Sequence, residues 1–119
     1  MSRIVTVGAA QLGPIAKSEP RRAVVDRLIA LLRDAKAHGC DLVAFPELAL
    51  TTFFPRWFFE NPADIDTFFE REMPSASTAP LFDEAKRLGI GFMLGFAELV
   101  REDGGDHRFN TSILVDKSG

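Results

Sequence analysis

Two short apolar runs flank one long amphipathic run, and this order limits the possible folds more than anything else in the chain. Ile4 to Gln11 reads as a strand: Ile4, Val5 and Val7 supply β-branched bulk, while Gly8, Ala9 and Ala10 let a neighbouring layer approach. Gly13-Pro14 breaks it. Val24, Val25, Leu28, Ile29, Leu32 and Ala35 then recur at helical spacing, opposite Asp26, Arg27, Arg33, Asp34 and Lys36. Ser18 is the expected N-cap, with Pro20 in the first turn and Gly39 as the left-handed residue that closes the helix. Cys40 to Phe45 reads as the second strand. A strand–helix–strand series with short connections predicts a parallel pair joined by a right-handed crossover.

The second strand runs into Pro46 and Glu47. Proline has no N–H for a sheet ladder, so a central strand should stop there. Glu47 is thereby expected just past the carboxyl end of a parallel strand, where open α/β sheets carry their sites. Its neighbours Leu48, Ala49 and Leu50 are apolar. A carboxylate desolvated by such neighbours is disfavoured as an anion, which suits a group that takes and returns a proton. The competing reading is an ordinary strand-end glutamate facing solvent.

Beyond Glu47, Thr51 to Glu60 is aromatic-rich and holds Pro55, so a loop or broken turn is expected. Phe53, Phe54, Trp57, Phe58 and Phe59 fit two readings, a pocket wall or a satellite core under a long loop. Asn61-Pro62-Ala63-Asp64 opens a short helix with Asn61 as N-cap, and Ile65, Phe68 and Phe69 form its apolar face. Met73 to Thr78 is a small-residue loop in which Ser77 or Thr78 caps a second helix near Pro80. That helix carries Leu81, Phe82, Ala85 and Leu88 and ends at Gly89. Ile90 to Leu99 reads as a third strand, Arg101 to Arg108 as a polar loop with His107 in its tip, and Phe109 to Val115 as an antiparallel fourth strand. Asp116-Lys117-Ser118-Gly119 is turn chemistry. The expectation is the first part of a larger α/β domain, with one face and one edge of its sheet uncovered and the domain continuing beyond residue 119.

Composition removes several function classes. The 119 residues suit one small domain, and a net charge of −3 offers no electrostatic basis for binding nucleic acid or an anionic membrane. No apolar run approaches the length of a membrane span. The segment from Met1 to Val7 lacks the apolar stretch of a signal peptide. One cysteine excludes an intramolecular disulfide, and no Cys/His cluster indicates zinc. A cytoplasmic setting, with no cofactor and no metal, is the expectation.

Gln11-Leu12-Gly13-Pro14, the stretch Asp41 to Leu48 and the stretch Phe109 to Asp116 together resemble the nitrilase superfamily of carbon–nitrogen hydrolases. Phe45 to Trp57, Gly89 to Phe92 and Arg108 to Gly119 are similar, within it, to the N-carbamoyl-D-amino-acid amidohydrolase branch. The resemblance implies a four-layer α-β-β-α sandwich, with this chain as its N-terminal part, and a Glu-Lys-Cys catalytic set. Glu47 matches the glutamate. The resemblance sets the lysine and the nucleophilic cysteine beyond Gly119. Cys40 precedes the strand that leads to Glu47 and is expected to be a small buried hydrophobe. Lys36 and Lys86 fall on helices and Lys117 in a turn, so none takes the lysine's place. The implied partner is a small-molecule substrate, an N-carbamoyl-D-amino acid, and the implied assembly a homodimer or homotetramer. Another amidase branch, a ureidopropionase, and an inactive fragment are the alternatives.

Overall fold

The computed structural model describes residues 2–119; Met1, the start of the segment compared with a signal peptide, lies outside them. Their elements run β1 (Val7–Ala9), α1 (Arg21–Ala37), β2 (Leu42–Ala44), 3-10 turns at Phe54–Arg56 and Pro62–Phe68, α2 (Ala79–Leu88), β3 (Gly91–Glu102) and β4 (Gly105–Val115). The four strands form one mixed sheet in the order β1-β2-β3-β4. β1 pairs with β2 and β2 with β3 in parallel, while β3 and β4 are antiparallel. No helix among the described residues is long and apolar enough to cross a membrane.

Successive side chains of a strand point to opposite faces, so β3 separates the core in two. Phe92, Leu94 and Phe96 face α1 and α2 and pack with Val24, Leu28, Leu32, Leu81 and Ala85. Leu28, Leu32, Leu81, Phe92 and Leu94 are wholly buried there, each contributing about 1.5–3 kcal/mol. Ala97 and Leu99 face the other way and pack with Leu48, Phe54 and Phe69. Along the rest of that second face the sheet is open: Val7, Met93 and Leu114 are 57%, 39% and 72% exposed.

Several local expectations need correction. β1 spans three residues rather than eight, because it is an edge strand that pairs only with the equally short β2; Ile4 and Val5 lie exposed before it. Ser18 does not cap α1. Pro20 occupies that position with extended backbone, and the Glu19 carboxylate turns back to accept from the Ala16 N–H. Thr78 does precede α2, but its hydroxyl accepts from the Ser75 N–H instead of capping the helix. The short helix after Asn61 is a 3-10 turn, although Asn61 Oδ1 does accept from the Ala63 N–H at 3.0 Å. So short a run does not repay the cost of α-helix nucleation. Gly39 and Gly89 close the two helices with φ of +79° and +65°, left-handed values that a Cβ would disfavour.

The largest difference is at the hairpin. The strands extend through the polar segment, and Asp103-Gly104 alone makes the turn between Glu102 and Gly105. Opposite charges meet across the pair, Arg101 with Asp106 at 3.4 Å, so polar side chains here decorate a two-stranded ribbon. His107 consequently lies on β4 and stacks on Phe109.

An ion cluster ties the two helices together: Glu84 of α2 accepts from Arg33 of α1 and from Arg87 one turn on. Hydrogen bonds from Arg87 and then Arg33 hold the Glu84 carboxyl down to about 2, below its ordinary 4.5. A depressed carboxyl contributes stability above its unfolded value and loses it as pH falls through the folded value. The difference in melting temperature between the wild type and Glu84→Gln should therefore be steady above about pH 4.5 and vanish towards pH 2. A difference unchanged over that window would show that the cluster does not link the helices.

Candidate active site

β2 stops where Pro46 removes a donor, and the chain then rejoins β3 at the next rung but two residues late. The Phe45 N–H donates to Met93 O, and the next N–H to reach β3 is that of Ala49, which donates to Gly95 O; both distances are 2.9 Å. Consecutive carbonyls on one side of β3 would ordinarily be served by residues two apart. Here the donors are four apart, so Pro46-Glu47-Leu48 is squeezed out as a bulge. Further along the same edge, Glu70 N–H donates to Ala97 O and Glu70 O accepts from Leu99 N–H. The edge of β3 beyond β2 is thus sealed by two separate loops.

The bulge lies over Gly95, where a Cβ would stand 3.5 Å from Glu47 Cα. Asn110 approaches from the other side of β3. It pairs with Ala97, so its side chain shares the face of Ala97 and Gly95. Over these two small residues the Asn110 Nδ2 donates to Glu47 Oε1 at 2.7 Å. Among the described residues Glu47 Oε2 has no hydrogen-bond partner. The apolar neighbours Leu48, Ala49 and Leu50 are buried, but Glu47 itself is exposed. The desolvation inferred from its neighbours is therefore absent: they fill the core, and the bulge turns the carboxylate out.

Glu47 stands between two cavities. An open cleft of about 400 Å³ is lined by Gln11, Leu12, Ile15, Thr51 and Phe53 as well as Glu47. On its other side a smaller cavity of about 190 Å³ is bounded by Phe54, Phe69, Arg108 and Asn110. Arg108 is occupied by Asp66, with Nη2 to Oδ1 at 2.7 Å. The aromatic segment divides between its two readings. Phe54, Trp57, Phe59, Phe68 and Phe69 form the satellite core, Phe53 lines the cleft, and Phe58 is exposed.

The other sequence candidates are elsewhere. Cys40 lies on the helix side of the sheet, where a Cβ on Gly8 would come within 3.0 Å of its Sγ and 3.9 Å of Ala35. Lys36 and Lys86 are on α1 and α2, and Lys117 is in the closing turn. Lys17, which the sequence reading passed over, sits above the Trp57 ring with Nζ 5.4 Å from its centroid. Arg56 lies over the same ring and is exposed. No group of three or more metal-ligating side chains converges among the described residues. Asn110 is the residue that sequence reasoning missed, and the signal for it was available. Asp103-Gly104 is a strong two-residue hairpin signal, and a turn there sets Asn110 opposite Ala97.

A mixed sheet that presents a carboxylate beyond the carboxyl end of a parallel strand defines an α/β protein of the kind that carries its chemistry at strand ends. The chain belongs to the carbon-nitrogen hydrolase family, which matches residues 6–119. It is 28% identical over 102 residues to an aliphatic nitrilase of Rhodococcus rhodochrous, covering 80% of this chain and 27% of that protein. The chain thus spans about a quarter of the length of that relative. Its fold is similar to a carbon-nitrogen hydrolase from Helicobacter pylori G27, with a TM-score of 0.68 at 22% identity over 96% of this chain and 36% of that one. An amidase from Nesterenkonia sp. gives 0.67 at 19% identity over 96% and 39%.

The approach of Glu47 to Gly95 leaves room for a methyl group and for little more. Gly95→Ala should change stability by less than about 1 kcal/mol, whereas Gly95→Val should cost about 1–3 kcal/mol by overpacking. Chemical denaturation measures both. The Asn110 side-chain amide resonances should move in Gly95→Val and stay in place in Gly95→Ala.

Proposed function

We propose that this chain is the glutamate-bearing N-terminal part of a hydrolase acting on N-carbamoyl-D-amino acids, with Glu47 as the proton carrier. The observation that carries the reading is the exposed Glu47 carboxylate, lifted off the sheet at a strand end beside an open cleft, with one oxygen bonded to Asn110 and the other without a hydrogen-bond partner among the described residues. Membership of the carbon-nitrogen hydrolase family supports it. The D-carbamoyl specificity rests on the resemblance of Phe45 to Trp57 and Arg108 to Gly119.

In this reading a lysine and a cysteine from beyond Gly119 complete the site. Glu47 takes the thiol proton, and the thiolate attacks the ureido carbon, forming the S–C bond. The lysine stabilises the oxyanion of the tetrahedral intermediate. Collapse breaks the C–N bond to the terminal nitrogen, which leaves as ammonia with the proton from Glu47. Water then gives Glu47 a proton and attacks the thioester carbon. The thiol departs, regaining the proton, and the N-carboxy amino acid loses carbon dioxide to leave the D-amino acid. Such a thiol needs a reducing environment, in keeping with a cytoplasmic setting, and the open second face of the sheet suits the sandwich partner and a homo-oligomer. A second reading, hydrolysis of another amide or nitrile in the same family, draws on the similarity to the Rhodococcus rhodochrous nitrilase and the Nesterenkonia amidase.

The full-length protein should release ammonia from N-carbamoyl-D-phenylalanine in preference to the L-isomer. Glu47→Gln should lower kcat by about 10²–10⁴-fold, the usual contribution of general acid–base catalysis. The 119-residue chain by itself should hydrolyse neither isomer. Preference for the L-isomer or for a simple amide would move the assignment to the second reading. Turnover by the isolated chain, abolished by Glu47→Gln, would overturn the three-residue mechanism.

A further inference from the structure

Asn110 has a part in this site that neither the family match nor the sequence motifs assign. Its Nδ2 donates to Glu47 Oε1 at 2.7 Å across sixty-three positions of sequence, a short hydrogen bond to an exposed carboxylate. The orientation of the amide is not ambiguous, because a carboxylate accepts and only the NH₂ end can donate to it. The two residues stand on unlike supports. Glu47 is at the crest of the bulge, whose backbone reaches β3 only at Phe45 and Ala49. Asn110 is within β4, which is paired with β3 continuously from Phe92↔Val115 to Glu102↔Gly105. The hydrogen bond therefore ties a projecting loop to the most continuously paired part of the sheet.

We propose that Asn110 is a positioning residue: its amide fixes Glu47 through Oε1 and leaves Oε2 as the oxygen that carries the proton. This rests on the reading of Glu47 as the base. The chemistry of the donor fits the task. When Oε2 takes a proton, Oε1 becomes the carbonyl oxygen of the acid and still accepts from the amide. The contact is kept in both states, so the carboxyl holds its place while it cycles a proton twice in each turnover. A lysine or arginine at position 110 would instead favour the charged carboxylate and oppose proton uptake. The other charged group lining the smaller cavity with Glu47 and Asn110 is Arg108; its pairing with Asp66 occupies it and leaves the neutral amide as the donor to Glu47. Around the larger cleft Glu47 is the one titratable side chain among the described lining residues.

The test uses the full-length protein, with ammonia release from N-carbamoyl-D-phenylalanine and from a simple aliphatic amide as readouts. Asn110→Ala should lower kcat by about 10–100-fold with KM within about twofold, the pattern of a misplaced catalytic group. Asn110→Asp keeps the shape and replaces the donor with a second carboxylate, so the acid limb of its kcat–pH profile should move to higher pH. Melting temperatures near that of the wild type separate positioning from folding. Wild-type kcat and an unmoved pH profile in both variants, with Glu47→Gln inactive, overturn the inference alone. A lower kcat in step with a lower melting temperature and an unmoved profile also overturns it, as a merely structural role. Activity retained by Glu47→Gln overturns the base reading and this inference together.

Discussion

The edge of β3 beyond the end of β2 is the constraint on which the rest of the site depends. Backbone carbonyls in the middle of a sheet must find donors, and Glu47, the next residue in register after Phe45, gives none to Gly95 O. Ala49 and Glu70 supply them at Gly95 O and Ala97 O. Because Ala49 comes in two residues later than a regular strand would allow, Pro46, Glu47 and Leu48 leave the sheet. The position of Glu47 follows from satisfying β3, and the carboxylate is carried out as a consequence.

Small residues make that arrangement possible. Gly95 and Ala97 clear a lane across β3 through which Glu47 and Asn110 meet from opposite sides. Glu70 is ion-paired in turn with Arg21 at the first turn of α1, with Nε to Oε1 at 2.6 Å, and the Arg21 Nη1 donates its hydrogen bond to Leu50 O. A cation at a helix N-terminus opposes the helix dipole, so the compensation lies in these tertiary contacts. Through Arg21, the helix layer and the loops that seal β3 are joined close to the candidate base.

Much of this was legible in the chain. The 3.6-residue period of Val24 to Ala35, the glycines that end both helices and the proline after Phe45 together specify a parallel unit with Glu47 at a strand end. Two misjudgements had a common cause. The polar segment Arg101 to Arg108 reads as a loop because a polar run has no buried face of its own, yet its charges pair across a ribbon. Glu47 reads as desolvated because its sequence neighbours are apolar, yet adjacent residues in a bulge need not share an environment. In both cases sequence proximity stood in for spatial proximity.

The sequence alone determined the elements whose causes are local: helix periodicity, strand-breaking proline and left-handed glycines. It also supplied the family resemblance carried by Phe45 to Trp57. Only the tertiary structure decided that Glu47 is exposed, that its partner is Asn110 and that Cys40 is on the opposite face. Those facts depend on which strands are neighbours and in what register; a local turn can set Asn110 opposite Ala97, but the pairing that brings Glu47 over Gly95 joins residues far apart in the chain and leaves no local trace.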